Sequence, residues 1–320
     1  MSGGKGKESG EVRNNRDWMS QLPAELHTIP LYDLAVPGSH DSMSYDLDIN
    51  SSIVEPDGLK RFSKLYCVRQ IVRKWAVTQE ATITNQLDAG VRYFDLRIAR
   101  KPNDTNPTRL YFYHGLYTQT DVETVLRDIR DWAEGHPKEI LILDLSHFKG
   151  FDEKNKAQLH KHLINFIKTT FGAKLVLNSA SPTLKSCWTQ GSNVIVSYDY
   201  PTSQHPELWT KIRYYYGDSM DPTIIESELA HVLEKERPYK YFFVCGLNLT
   251  LPNDARALKY VLRLCDNFLN VIQRSLFKLL QWVKQQSAKT PVNIVASDLV
   301  TRNNFVTTIV EFNRKHVKAQ

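Results

Sequence analysis

The sequence predicts an α/β fold: a single-domain, TIM-like (β/α)8 barrel, allowing for distortion. Three observations lead there. Short apolar, β-branched runs alternate with longer helical patterns from end to end, which implies a parallel sheet. The run Ile140-Leu141-Ile142-Leu143 is apolar on both faces, as a strand covered by helices must be. Polar residues gather at the C-terminal ends of several runs, where such barrels carry their sites. A doubly wound open sheet is the alternative.

Strands are expected over residues 31–36, 91–98, 109–114, 140–146, 193–198, 241–248 and 292–297, with a weaker eighth over 211–216. Eight would close a barrel. Each is a short run rich in Val, Ile, Tyr or Phe, the residues that suit a pleated, buried surface. Helical periodicity fills residues 121–134, 152–170, 223–235 and 255–286. In the last of these, Leu264, Phe268, Ile272, Leu279 and Val283 fall on one stripe. That stripe predicts a helix packed on the barrel rather than one facing a membrane or a partner.

A chain of 320 residues, 42% apolar and 24% charged, has the composition of a folded globular protein. Disordered, collagen-like and coiled-coil classes are thereby excluded. No Gly/Ser-rich linker, internal repeat or composition break divides it. One domain is expected over residues 17–320, after a flexible polar tail at 1–16. The start lacks the apolar run of a secretory leader, and the roughly 18 consecutive apolar residues of a spanning helix occur nowhere. The expectation is a monomeric cytoplasmic protein that associates transiently with membranes. Cys67, Cys187, Cys245 and Cys265 form no CxxC pair and suit no zinc site, so buried, reduced thiols are expected.

Lys and Arg number 41 against 35 Asp and Glu, an excess too small for a nucleic-acid partner despite a pI of about 9.0. The excess is local. Between Gly58 and Gln79 stand Lys60, Arg61, Lys64, Arg69, Arg73 and Lys74, with no acid among them. These six bases equal the whole surplus (41 − 35 = 6). Phe62, Leu65, Tyr66 and Trp75 are interleaved with them. The segment follows the first strand, so it is expected at the mouth where that strand ends. A basic, aromatic-bearing helix there suits anionic lipid, with up to about 1 kcal/mol for each Lys or Arg near the surface. A solvated basic helix is the plainer reading. Lys60, Arg61 and Lys64 are the candidate membrane contacts.

The chemistry lies at the strand ends. The first ends in Ser39-His40-Asp41, the second contains Asp95-Leu96-Arg97, the third ends in Tyr113-His114-Gly115, and the last ends in Ser297-Asp298. Asp95 and Arg97 are two apart and share a strand face. Inside an apolar barrel they need each other or a ligand. Two histidines, several aspartates and one arginine around one mouth suit phosphodiester chemistry. One imidazole takes a proton from the attacking hydroxyl, and the other gives one to the leaving oxygen. A carboxylate beside each ring fixes its tautomer, and the guanidinium holds the phosphate. Singly, each residue is as readily structural; their joint placement on four strand ends makes a site.

An ordered series of motifs runs through the chain. It comprises Ile29-Pro30-Leu31, Val36-Pro37-Gly38-Ser39-His40-Asp41-Ser42, Thr78-Gln79, then Gln86-Leu87-Asp88-Ala89-Gly90-Val91-Arg92-Tyr93-Phe94-Asp95-Leu96-Arg97, and His114-Gly115. It continues through His136-Pro137-Lys138, Val194-Ile195-Val196-Ser197-Tyr198, Glu207-Leu208-Trp209, Gly246-Leu247-Asn248 and Asn293 to Asp298. Spanning residues 18–313, this series resembles the X domain of phosphatidylinositol-specific phospholipases C in its stand-alone form. The resemblance implies cleavage of phosphatidylinositol in membranes to diacylglycerol and an inositol phosphate, through a cyclic phosphate. It implies that His40 is the general base for the inositol 2-hydroxyl and Asp298 the carboxylate that orients it. His114 matches the general acid, with Asp41 as its partner. Arg97 matches an arginine that binds the phosphate, and Asp95 helps to order the site.

The family has a calcium-dependent mode, with Asn after the first histidine and Glu-x-Asp on the second strand. Here Asp41 and Asp95-Leu96-Arg97 stand instead, and Ser146 falls where a further acidic ligand is expected. Cationic Arg97 disfavours Ca²⁺, so no cofactor is expected. The sequence also departs from the bacterial, metal-independent pattern: Ser146-His147 and Ser197-Tyr198-Asp199 replace basic residues. Tyr198 and Trp209 are candidate headgroup contacts, a buried aromatic being the alternative for Trp209. Two other functions remain in view: a metal-dependent glycerophosphodiesterase-like barrel, and an inositide binder with weak turnover.

Overall fold

The computed structural model describes residues 14–178, 181–201, 204–252 and 267–318, with side chains as far as residue 314. In chain order the strands are β1 (Val36–Ser39), β2 (Tyr93–Ala99), β3 (Tyr111–His114), β4 (Leu116–Asp121), β5 (Leu141–Lys149), β6 (Val194–Tyr198), β7 (Leu208–Trp209), β8 (Arg213–Tyr216), β9 (Phe243–Gly246) and β10 (Ile294–Ser297). The helices are α1 (Tyr66–Ala76), α2 (Ile83–Ala89), α3 (Val122–Gly135), α4 (Lys156–Phe171), α5 (Leu184–Gln190), α6 (Pro222–Lys235), α7 (Phe268–Gln286) and α8 (Phe305–Lys318).

Eight strands pair in parallel in the order β7-β6-β5-β2-β1-β10-β9-β8 and curl into a barrel with helices outside. Among the described residues no ladder joins β7 to β8, so the ring is open at one seam. The expected barrel fold therefore holds, in distorted form. Its membership differs in one respect. The expected strand over residues 109–114 is not a stave of the barrel. As β3 it pairs antiparallel with the end of β2, Phe112 beside Ile98, and turns through Gly115 straight into β4. One residue cannot carry the crossover of a dozen or more that parallel neighbours need, so a hairpin is the only outcome. Its place in the count is taken by the two-residue β7, which pairs with β6 through Leu208 and Trp209.

The helices follow their apolar stripes. Asp121 caps α3 by accepting from the Thr124 N–H, and Val122, Val125, Leu126, Ile129 and Ala133 turn to the core at helical spacing. On α7, Phe268, Ile272, Leu279 and Val283 are all buried, as the stripe predicts; Leu264 lies outside the described residues. Cys187 and Cys245 are buried and free as expected, whereas Cys67, in the first turn of α1, is exposed. Cys265 is outside the described residues.

Of the expected tail at 1–16, the described residues 15 and 16 make contacts with the body. Asn15 donates to the Thr307 hydroxyl, and Arg16 pairs with Asp88 at 2.8 Å. Beyond it Trp18 and Met19 are buried, and Glu139 accepts the N–H groups of Met19 and Ser20. Glu139 is itself paired with Arg92 at 2.8 Å, both fully enclosed. The guanidinium also donates to the carbonyls of Leu87, Val91 and Arg16, so one buried ion pair binds the first described segment to the barrel.

Candidate active site

Strand register brings the polar residues to one level. β1 pairs with β10 so that Ser39 lies beside Ser297, and with β2 so that Ser39 lies beside Phe94. One step further along these three strands stand His40, Asp298 and Asp95. Asp144 on β5 and Ser197 on β6 continue the row. Gly38 permits the close approach, since a Cβ there would come within 2.9 Å of the Tyr93 ring.

His40 is held from two sides. Its N–H donates to the Ser297 carbonyl at 3.1 Å, and its Nδ1 lies 2.7 Å from Asp298 Oδ1. Burial, with Arg97 acting in the same sense and Asp41 against it, lowers the His40 pKa to about 4. The ring is therefore neutral near pH 7, and its Nδ1 shares a hydrogen bond with Asp298. Burial pushes the Asp298 carboxyl well above the usual carboxylate range, and the ring nitrogen is its hydrogen-bonding partner there. The basic Nε2 is left facing Asp41 Oδ2 at 3.1 Å and Arg97 Nη2 at 3.0 Å.

Asp41 adopts the left-handed backbone region at φ 42°, which Asp tolerates better than most residues. That turn puts its carboxylate between the two rings, 3.1 Å from His40 Nε2 and 3.3 Å from His114 Nε2. His114 closes the site from the β3–β4 hairpin. Its Nδ1 lies 2.6 Å from the Ala76 carbonyl at the end of α1, which makes Nδ1 a donor there and turns Nε2 to Asp41. Gly115, at φ 71°, is needed here, because a Cβ would meet the side chains of Ala76 and Val72 at 2.9 Å.

Arg97 completes the cluster, with Nε 2.9 Å from Asp41 and Nη2 3.3 Å from Asp95. Burial opposes its charge, but Asp41 and Asp95 overcome that and raise its pKa well above the ordinary value. Burial likewise favours a neutral Asp95, yet Arg97, His40 and the Asp41 N–H outweigh it and lower its pKa. The side chains of Arg97 and His114 are 22% and 21% exposed against 7% for His40, so these two look outward. The groups nearly fill their own space: the cavity among Asp41, Asp95, Arg97, Tyr113 and His114 measures about 10 Å³.

His40, Asp41 and Asp95 offer three ligand atoms within 4.8 Å of one another, the spacing of a metal site. A divalent cation does not fit them with Arg97 in place. The guanidinium lies 2.9–3.3 Å from all three residues, pairs with both carboxylates and would bring a positive charge against any cation placed there.

The six expected catalytic residues thus converge. The two expected headgroup contacts do not. Successive strand residues face opposite sides, and Ser197 points inward to Asp144, so Tyr198 points outward. Its hydroxyl meets His160 Nδ1 on α4 at 2.9 Å. Trp209 donates to the Val176 carbonyl, beside the start of β6, and packs edge-on against Phe242, just ahead of β9. Its ring therefore lies over the starts of these strands, away from the mouth. Lys60, Arg61 and Lys64 are not buried, and they stand beside half-exposed Leu65 and Tyr66. Lys60 pairs with Asp57, while Arg69 and Arg73 are used inward, on the carbonyls of Ile49 and Leu47. The Val54 N–H bonds to the Gly115 carbonyl and Ala76 meets His114, so both ends of the segment are anchored at the mouth.

Two residues of the site escape sequence reasoning. Tyr214 on β8 lies 5.9 Å from the His40 ring and donates to Asn248. The available sign was Gly246, whose missing side chain makes room for the Tyr214 ring. Asp144 lies buried beside Asp95 on the neighbouring strand, accepting from the Tyr93 and Ser197 hydroxyls at 2.7 and 2.8 Å. Burial, beyond what these two donors offset, raises its pKa to about 7. A raised carboxyl pKa means stability that is lost as pH climbs from the ordinary carboxylate range to about 7. An amide in place of the acid has no such loss. The stability of Asp144→Asn relative to wild type is expected to rise between pH 5 and pH 8 by about 3 kcal/mol in urea unfolding; an unchanged difference would count against a neutral Asp144.

The family model described as phosphatidylinositol-specific phospholipase C, X domain, matches residues 64–193. The chain is 40% identical over 293 residues to PI-PLC X domain-containing protein 1 of Danio rerio, covering 89% of this chain and 91% of that one. It is 37% identical to the Homo sapiens protein of the same name, over 94% of this chain and 93% of the other. It is 38% identical to PI-PLC X domain-containing protein 2 of Mus musculus, over 93% and 88%. In fold it is similar to a mutant phosphatidylinositol-specific phospholipase C from Staphylococcus aureus, with TM-score 0.68 and 16% identity over 94% of this chain and 98% of that one. The enzyme from Listeria monocytogenes gives TM-score 0.62 and 20% identity over 94% and 99%.

Proposed function

The chain belongs to the PI-PLC X domain-containing family, and we propose that it is a metal-independent phosphodiesterase cleaving phosphatidylinositol to diacylglycerol and inositol 1,2-cyclic phosphate, then inositol phosphate. One observation supports this above the others: a single carboxylate, Asp41, lies within 3.3 Å of the Nε2 atoms of two histidines, with a guanidinium against it.

In this reading His40 Nε2 takes the proton of the inositol 2-hydroxyl as its oxygen attacks phosphorus. The phosphorus–glycerol oxygen bond breaks, and His114 Nε2 gives its proton to the departing oxygen. Arg97 donates to the phosphate oxygens, where charge builds. Asp298 steadies the charged imidazole of His40, and Asp41 that of His114. Full hydrolysis of phosphatidylinositol vesicles in excess EDTA is expected. Activity that vanishes with EDTA and returns with Ca²⁺ would overturn the metal-independent assignment. A metal-dependent glycerophosphodiesterase-like reaction fares worse, because it needs the carboxylates that Arg97 occupies.

The second reading, an inositide binder with little turnover, draws on one contact. The Arg97 Nη2 at 3.0 Å donates into the lone pair of His40 Nε2, which a base must keep free. Wild-type protein that binds inositide vesicles yet releases no diacylglycerol would establish it.

We further propose that the protein works as a cytoplasmic monomer that visits membranes through Lys60, Arg61, Lys64 and the exposed rings beside them. No described helix is long and apolar enough to cross a bilayer, so surface contact is the route considered. Changing the three bases to Glu is expected to weaken binding to anionic vesicles at low salt by about tenfold or more. Unchanged sedimentation with vesicles, the fold being intact, would remove the patch from the proposal.

A further inference from the structure

We infer that Gln79 is a positioning residue that clamps the His40–Asp298 pair by holding the carbonyls of His40 and of Ser297, the residue before Asp298. The inference rests on the reading of His40 as the base. Gln79 lies in the stretch between α1 and α2, is almost fully buried, and hydrogen-bonds through its side chain to backbone groups. Its side-chain amide has two N–H groups, and both are used. One donates to the carbonyl of His40 at 2.9 Å, and the other to that of Ser297, the residue before Asp298, at 2.9 Å. Its oxygen accepts from the Val300 N–H at 3.3 Å. One side chain thus joins the ends of β1 and β10 beyond the point where their ladder stops.

The backbone on both sides explains why such a clamp is needed. Asp41, directly after His40, is at φ 42°, and Leu299, directly after Asp298, is at φ 48°. A leucine in that region is uncommon and persists only where its surroundings impose it. Here the Leu299 N–H donates to the carbonyl of Thr78, the neighbour of Gln79. The N–H groups of Thr78 and Gln79 in turn donate to the Ser44 hydroxyl, in the turn that follows His40 and Asp41. Both left-handed turns are therefore stitched to residues 78–79. The 2.7 Å contact between His40 and Asp298 depends on the relative placement of these two turns. Among the described residues, no other side chain donates to the backbone of both.

Gln79→Met keeps the length of the side chain and removes every polar contact. The test follows the His40 Nδ1 proton by NMR of histidine-labelled protein, together with hydrolysis of phosphatidylinositol vesicles. In Gln79→Met the Nδ1 proton is expected to exchange much faster with water, and kcat to fall by about 10²-fold with KM little changed. Leu126→Ala, a cavity in α3, is expected to lower Tm while leaving the His40 proton as in wild type. A His40 signal in folded Gln79→Met identical to wild type would overturn the inference. Should Gln79→Met not fold, Gln79→Asn, with the amide drawn back by one methylene, carries the same readouts. If neither folds, Gln79 is a folding residue and the inference fails. If wild type never hydrolyses an inositide but its Nδ1 proton is protected and Gln79→Met releases it, the clamp stands and the reading of His40 as a base falls.

Discussion

His40→Asn is expected to lower diacylglycerol release from phosphatidylinositol vesicles by about 10³-fold, with inositide binding retained. Asparagine is chosen for a physical reason. Its amide N–H can stand where Nδ1 stands and keep a donor on buried Asp298, while nothing replaces Nε2. The variant therefore removes the proton acceptor without leaving an unpartnered carboxyl in the core, which would confound the result through misfolding. The Nε2 position, 3.1 Å from Asp41 and 3.0 Å from Arg97, is where the hydroxyl proton must go in the proposed reaction. Activity within a few-fold of wild type, with Tm unchanged, would take His40 out of the base role.

Glu139→Ala is expected to cost about 3–5 kcal/mol in urea unfolding, the usual penalty for stranding one member of a buried ion pair. Arg92 has no exposed surface, and burial already lowers its pKa, with Glu139 the main group sustaining its charge. The loss goes beyond the pair, because Glu139 also accepts from the Met19 and Ser20 N–H groups. Proteolysis near residue 20 should therefore accelerate in the same variant. Arg92→Met combined with Glu139→Ala should recover part of the lost stability, since the stranded charge is gone. A single-variant loss under about 1 kcal/mol would mean that the charge finds water or another partner.

The parts of this molecule legible in the sequence are those set by local pattern. Ile140 to Leu143 can be placed as a covered strand because both faces are apolar, and His40, Asp95 and Asp298 can be placed at one mouth because they end three such runs. Parallel register then aligns them without further information. His114 is legible as a site residue for a partly wrong reason. It reaches the mouth from a hairpin, and in the pattern a one-residue turn at Gly115 looks like any strand end. Tyr198 and Trp209 show the opposite failure. Both are aromatic and lie on strands, but which face each takes depends on the inward turn of Ser197 and on where β7 begins. Tyr214 and Asp144 join the site through tertiary contacts over long sequence separations, for which one sequence carries no sign except the small residue, Gly246, that admits the Tyr214 ring; Gln79 stands in the motif series, but its two carbonyl partners show only in the fold.

The seam between β7 and β8 bears on how the barrel can come apart. In a closed ring every strand is held by two ladders, and none can leave without breaking both. Among the described residues β7 is held only through two paired residues to β6, and β8 only through its pairing with β9. Both are edges, and β7 is too short to recruit another chain's strand. Local opening is therefore cheapest at this seam, and the backbone amides of β7 and β8 should be the first of the barrel to exchange for deuterium, long before those of β1, which has a ladder on either side. The His40–Asp298 pair spans the ends of β1 and β10, away from that edge, so the barrel can breathe at its seam while this contact stays closed.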